Sequence, residues 1–176
     1  MHDAVVTNGA LAPGKTIMIQ GASSGVGIMG MQIAKLKGAS LVVGSSTNEG
    51  RRARLSEYGA DLAVDPSDPA WVDQVLEATG GKGVDTIVDQ ISGYVANQNL
   101  AATAIKGRIV NVGRLGGFNG DFNFDLHASR RINYIGVTFR TRSIDEIREI
   151  VRLTWADLGD AVSKGELALP MDRNYS

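Results

Sequence analysis

With 176 residues, 43% hydrophobic and 21% charged, the chain has the make-up of one soluble globular domain with room for a buried core. A net charge of −1 offers no basic field for nucleic acid or an anionic membrane, and no apolar run approaches the ~18 residues needed to cross a bilayer. Cysteine is absent, which excludes disulfides, thiolate zinc sites and a cysteine nucleophile within these residues and fits a reducing, cytoplasmic setting.

In chain order, short β-branched runs alternate with longer amphipathic ones. Residues 16–20 (TIMIQ) read as a buried strand, and residues 26–37 as a helix with Val26, Met29, Ile33 and Leu36 on one face, stopped by Gly38. Residues 40–44 (SLVVG) form a second strand, residues 48–58 a second helix closed by Gly59, and residues 62–65 a short third strand. A helix entered at Pro69 runs to about Thr79. Residues 84–89 (VDTIVD), a helix over about 95–104 and residues 108–112 (RIVNV) continue the alternation. A glycine-rich loop leads to the sixth strand, from Ile132 to Phe139, and then to a helix over 143–164 with Ser143 and Glu146 at capping-box spacing. Continuous apolar strands separated by helices predict an α/β fold: a doubly wound, six-stranded parallel sheet in three layers. Trp71 and Trp155 read as packing residues on helices, and His2 and His127 as isolated surface or loop histidines.

The sharpest motif is residues 21–30 (GASSGVGIMG), which carries G-x-G-x-x-G as Gly25, Gly27 and Gly30 between a strand and a helix. In that setting Gly25 is expected to make the tight turn, Gly27 to let a pyrophosphate approach and Gly30 to let the helix pack on the sheet. Free amides and the positive end of the helix dipole would then hold the diphosphate of a nicotinamide dinucleotide. This is the Rossmann arrangement. An NAD site expects an acidic residue about 20 positions further on to hold the ribose hydroxyls. Here the second strand ends in Ser45 and Ser46, with Arg51 a turn later. Neutral donors followed by a guanidinium suit a 2′-phosphate, so NADPH is favoured over NADH; a solvated Arg51, Arg52 and Arg54 face is the alternative.

Several segments, in the right order, resemble the medium-chain dehydrogenase/reductase superfamily: residues 21–39, Gly59-Ala60-Asp61, Asp89 with Gly93, residues 107–113 (GRIVNVG) and residues 135–142 (IGVTFRTR). The similarity runs from about Leu11 to Asp172 and is greatest to zinc-independent, quinone oxidoreductase-like, NADPH-dependent reductases. The resemblance implies that Ser24, Gly25, Val26 and Gly27 meet the pyrophosphate. It puts Ser45, Ser46 and Arg51 at the adenosine 2′-phosphate, and Gln90 and Gly113 on the ribose and nicotinamide side. Pro66 stands where some quinone reductases have a tyrosine near the adenosine. Members of the superfamily also carry a GroES-like catalytic domain. The expectation is therefore a single cofactor-binding domain over 1–176, inactive alone, with 1–14 and 167–176 as remnants of interdomain connections. No catalytic residue and no metal ligand is assigned within the chain.

The opening residues 21–27 (GASSGVG) also imitate short-chain dehydrogenases, whose chemistry needs a tyrosine with a lysine four residues on. Tyr58 is followed at that spacing by Leu62, Tyr94 by Gln98 and Tyr134 by Thr138, and Tyr175 is next to last. A stand-alone nucleotide-binding regulatory module and a methyltransferase are the other readings; the latter wants an acidic second-strand end. The sixth strand should close one side of the sheet, and its unpaired edge suits a homodimer.

Overall fold

The computed structural model describes residues 1–170. Six strands form one all-parallel sheet in the order β3-β2-β1-β4-β5-β6: β1 Thr16–Ile19, β2 Leu41–Ser45, β3 Leu62–Val64, β4 Val84–Asp89, β5 Thr103–Asn111 and β6 Asn133–Gly136. Six helices connect or follow them: α1 Gly25–Leu36, α2 Glu49–Ala53, α3 Trp71–Ala78, α4 Ala96–Ala102, α5 Phe124–Arg130 and α6 Ile144–Ser163.

Successive strand residues point to opposite faces, and each face is buried against its own helices. Ile17, Ile19, Val42, Val88 and Val110 join Met31 and Ile33 of α1 and Leu158 of α6 in one core layer. Met18, Val43, Ile87 and Ile109 join Trp71 and Val75 of α3 and Leu100 of α4 in the other. This is the expected three-layer, doubly wound sheet. The strand order reverses between β1 and β4, so their C-terminal ends diverge and leave a crevice above the sheet, the place where such folds bind ligands.

Local chemistry sets the helix ends. Ser24 caps α1 by accepting the Gly27 N–H at 3.0 Å, and Asn48 caps α2 by accepting that of Arg51 at 2.9 Å. The capping box of α6 is present in full, with Ser143 and Glu146 each satisfying the other's amide. At the opposite end of the sheet, Asp85 accepts from the Thr16 N–H and hydroxyl and from Lys15, tying the start of β4 to the start of β1.

Several sequence expectations shift. The stretch 48–58 divides into α2 and a 3-10 turn, Leu55–Tyr58. β5 begins at Thr103, so the helix before it ends earlier than the pattern suggests, and α5 appears inside the glycine-rich loop. β6 is shorter than the run from Ile132 to Phe139, because Val137 turns down into the core as the chain leaves the sheet. Trp71 is buried, whereas Trp155 is 65% exposed and only lies against Gly159. His2 is no surface residue: it is 4% exposed and its Nε2 hydrogen-bonds to Asp157 at 2.7 Å, beside the Lys37–Asp157 ion pair. No helix among the described residues is long and apolar enough to cross a membrane.

Candidate functional site

The loop between β1 and α1 sits at the crevice. Gly21 takes the left-handed conformation, φ +72°, which an L side chain rarely adopts, and so makes the sharp turn off the strand. Its N–H donates to Ser45 Oγ at 3.0 Å, and the next amide, of Ala22, donates to the Ser45 carbonyl at 2.8 Å. The Ser45 hydroxyl in turn donates to Gln20 Oε1 at 2.6 Å. Ser45 is thus buried and fully engaged in holding the turn, rather than facing the crevice. Ser46 is also buried, with its hydroxyl donating to Ser23 Oγ at 3.0 Å.

The glycines divide their work differently from the motif-based expectation. The tight turn belongs to Gly21. A Cβ on Gly27 would lie 2.6 Å from Ala22 Cα and from the Gly21 carbonyl, so Gly27 is the residue that lets the helix start pack against the loop. Its amide is already taken by Ser24. Gly30 faces the Met1 and Ile19 side chains, at 3.0 and 3.4 Å from an added Cβ. Gly25 is the open position: nothing stands nearer to an added Cβ than Leu169 Cδ1 at 3.9 Å. Gly25 and Val26 are exposed, and their amides have no acceptor among the described residues. Two free N–H groups at the positive end of a 12-residue helix can receive an anion such as a diphosphate.

A second staple fixes the loop from the far side of the strand reversal. Gln90, just past β4, donates through Nε2 to the Gln20 carbonyl at 3.0 Å and the Gly21 carbonyl at 3.3 Å, while Ser24 Oγ lies 3.3 Å from its Oε1. Gly113 lets the loop after β5 close on this residue, since a Cβ there would be 2.6 Å from the Gln90 carbonyl. Beside them Asp89 accepts the amides of Ile91 and Ser92 at 2.8 and 2.9 Å; burial holds its carboxyl above the usual range against those two bonds. Its role is to cap that loop.

Two cavities flank the loop. One, of about 480 Å³, runs from Val26 and Gln90 past Gly113 and Arg114 to Thr138 and Arg140 at the end of β6. The other, of about 330 Å³, is bounded by Ser23, Asn48, Arg51, Arg54, Leu55 and Tyr58. The structure therefore brings Ser24, Gly25, Val26, Gly27, Gln90 and Gly113 together around the loop, with Arg51 on the second cavity. Ser45 and Ser46 lie behind it. The sequence reading weighed Arg54 only as part of a solvated arginine face and passed over Tyr58; the structure sets both on the second cavity, because the 3-10 turn folds the tyrosine toward Ser23.

A family model described as zinc-binding dehydrogenase matches residues 25–156, most of the chain. The chain belongs to this family. Among proteins it is similar to, "Hybrid PKS-NRPS synthetase pynA" of Aspergillus niger is 33% identical over 125 residues, which cover 70% of this chain and 3% of that one. Human "Quinone oxidoreductase" is 25% identical over 148 residues, covering 84% of this chain and 44% of that one. A crystal structure of an "NAD-dependent alcohol dehydrogenase" superposes with a TM-score of 0.80 and 31% identity, covering 94% of this chain and 45% of that one. The chain thus spans less than half the length of these relatives. Within the medium-chain dehydrogenase/reductase superfamily it is a quinone oxidoreductase-like domain.

Proposed function

We propose that the chain is the cofactor-binding domain of an NADPH-dependent oxidoreductase of the quinone- or enone-reducing, alcohol dehydrogenase-like kind. The observation that carries this reading is the exposed Gly25–Val26 amide pair seated between two cavities, an order that matches adenosine, diphosphate and nicotinamide in one extended ligand. The larger cavity takes the nicotinamide, the loop the diphosphate, and the cavity at Arg51 the adenosine with its 2′-phosphate. When bound, the nicotinamide supplies or accepts a hydride. This chain's residues bind and orient it: Gln90 keeps the loop in shape, and Gly113 keeps the larger cavity open toward Arg114.

Hydride transfer needs reacting carbons held ~3–3.5 Å apart in a water-poor site. We assign the second wall of that site to a GroES-like catalytic domain outside these residues, so the 176-residue chain binds cofactor and turns nothing over. The working enzyme is cytoplasmic and dimeric. Support for a dimer comes from β6, which among the described residues pairs only with β5 and leaves Tyr134 partly exposed at the sheet edge; sedimentation as a monomer at high concentration would remove that part of the reading.

Thermal unfolding with NADPH, NADP⁺, NADH and NAD⁺ tests the assignment, because a ligand that binds only the folded chain raises its stability by mass action. At a hundred times Kd the gain is about 2.7 kcal/mol, or roughly 5–10 °C for a domain of this size. The phosphorylated pair should give the larger shift. No shift with any of the four would remove the assignment.

A further inference from the structure

We propose that Arg54, braced by Glu57 and Tyr58, acts with Arg51 as a second specificity-determining cation for the adenosine 2′-phosphate. The inference rests on the reading of the loop as a dinucleotide cradle, and goes beyond it by naming what makes the cradle choose NADPH.

Three arginines follow the end of β2, and the structure separates them by task. Arg52 is committed to the fold: its Nη1 donates to the Ser46 carbonyl at 2.8 Å and to Asp65 at 2.9 Å. Arg51 and Arg54 instead border the same 330 Å³ cavity as Ser23 and Asn48. That volume is ample for more than a phosphate, and Ile28 and Leu55 give it an apolar floor on which a base or ribose can lie.

Arg54 is also pre-set. Its Nε and Nη2 reach Glu57 Oε2 at 3.1 and 3.0 Å, and Nη2 lies 3.0 Å from the Tyr58 hydroxyl. The guanidinium carbon stands 5.9 Å from the Tyr58 ring centroid. These contacts use one edge of the fork and leave Nη1 with no acceptor among the described residues. Glu57 is not part of the cavity wall, so it orients the guanidinium from outside rather than meeting the ligand. A long side chain normally loses rotamer freedom when it grips a ligand, and a braced one loses less. Exposed i,i+3 pairs such as Arg54–Glu57 add little to folding, so the brace can be removed without unfolding the chain. A second guanidinium adds the charge-assisted bonds of its free Nη1 to those of Arg51 on one dianion, and a ribose without the phosphate gains nothing from them.

The test compares dissociation constants for NADPH and NADH, read from cofactor fluorescence, in the wild type and in Arg54→Ala, Arg51→Ala and Glu57→Gln. Arg54→Ala should weaken NADPH about five- to tenfold and NADH less than twofold, with an unchanged melting temperature. Glu57→Gln removes a carboxylate beside the dianion together with the brace, so it should change NADPH affinity and leave NADH affinity as it is, which a merely structural role would not do. Competition by 2′,5′-ADP should fall in Arg54→Ala while that of 5′-AMP stays the same. Equal weakening of both cofactors, or no change in either, overturns the proposal while the cradle stands. A wild type that binds neither cofactor overturns both.

Discussion

Gln90, at the end of β4, donates its side-chain amide to the backbone carbonyls of Gln20 and Gly21 at the end of β1, at 3.0 and 3.3 Å. One side chain therefore bridges the point where the strand order reverses and sets the height of the glycine loop above the sheet. Replacing Gln90 with Ala leaves the buried Gln20 carbonyl without its donor, while the Gly21 carbonyl keeps those of Ser24, and costs about 1–3 kcal/mol. The loop should also lose its fixed shape, so NADPH and NADH affinities should fall together. Urea unfolding and cofactor titration of the variant check both expectations.

Gly25 and Gly27 should respond in opposite ways to a methyl group. Gly27→Ala drives a Cβ into backbone at 2.6 Å and should destabilise the fold by about 1–3 kcal/mol. Gly25→Ala meets open space at a helix start, so stability should hold or rise slightly. Gly25→Val should keep the fold and lose the cofactor, because its side chain occupies the diphosphate seat. Melting temperatures with and without NADPH separate the two positions.

Much of this was legible in the sequence, for identifiable reasons. Runs such as TIMIQ and VDTIVD announce strands buried on both faces, and the Ser143–Glu146 spacing announces the start of α6, because both signals are local. The packing role of Gly30 against β1 was legible, but those of Gly21, Gly25 and Gly27 were not: which of them turns and which packs depends on how α1 leans on Ala22, a tertiary fact. Ser45 and Ser46 read as ligand donors because serines end the strand; that the Gly21 turn also engages Ser45 and the Ser23 hydroxyl Ser46 is set by tertiary contacts that carry no local signal. The helix α5 escaped notice because none of its residues is fully buried, so it carries no apolar stripe.

Arg52 serves as an internal control for the charge argument. Arg52→Ala removes bonds to Ser46 and Asp65 that are only partly shielded from water, so the stability loss should be about 1 kcal/mol. The ratio of NADPH to NADH affinity should not move. A large change in that ratio would mean that the arginines are not divided between fold and ligand.

Asp85 predicts a pH dependence at the other end of the sheet. Burial pushes its carboxyl up, but the bonds from Thr16 and Lys15 outweigh that and hold it below the ordinary aspartate value. A depressed folded pKa gives stability that is present above the unfolded pKa and lost as pH falls through the folded one. Asp85→Asn should therefore be less stable than the wild type by about 1 kcal/mol at neutral pH. The gap should narrow below about pH 4, where the unfolded chain takes up the proton first. Urea midpoints of both proteins across that range provide the check.

If the Gly25 and Val26 amides, which have no acceptor among the described residues, receive the diphosphate, their own resonances will report it. In a ¹⁵N–¹H correlation spectrum titrated with NADPH, these two amides should show large shifts that saturate with the binding isotherm. The same peaks should move with NADH, because the diphosphate is common to both cofactors. Saturable NADPH binding that leaves Gly25 and Val26 unmoved would place the diphosphate elsewhere, and a titration in which no amide moves at all would rule out cofactor binding by this chain.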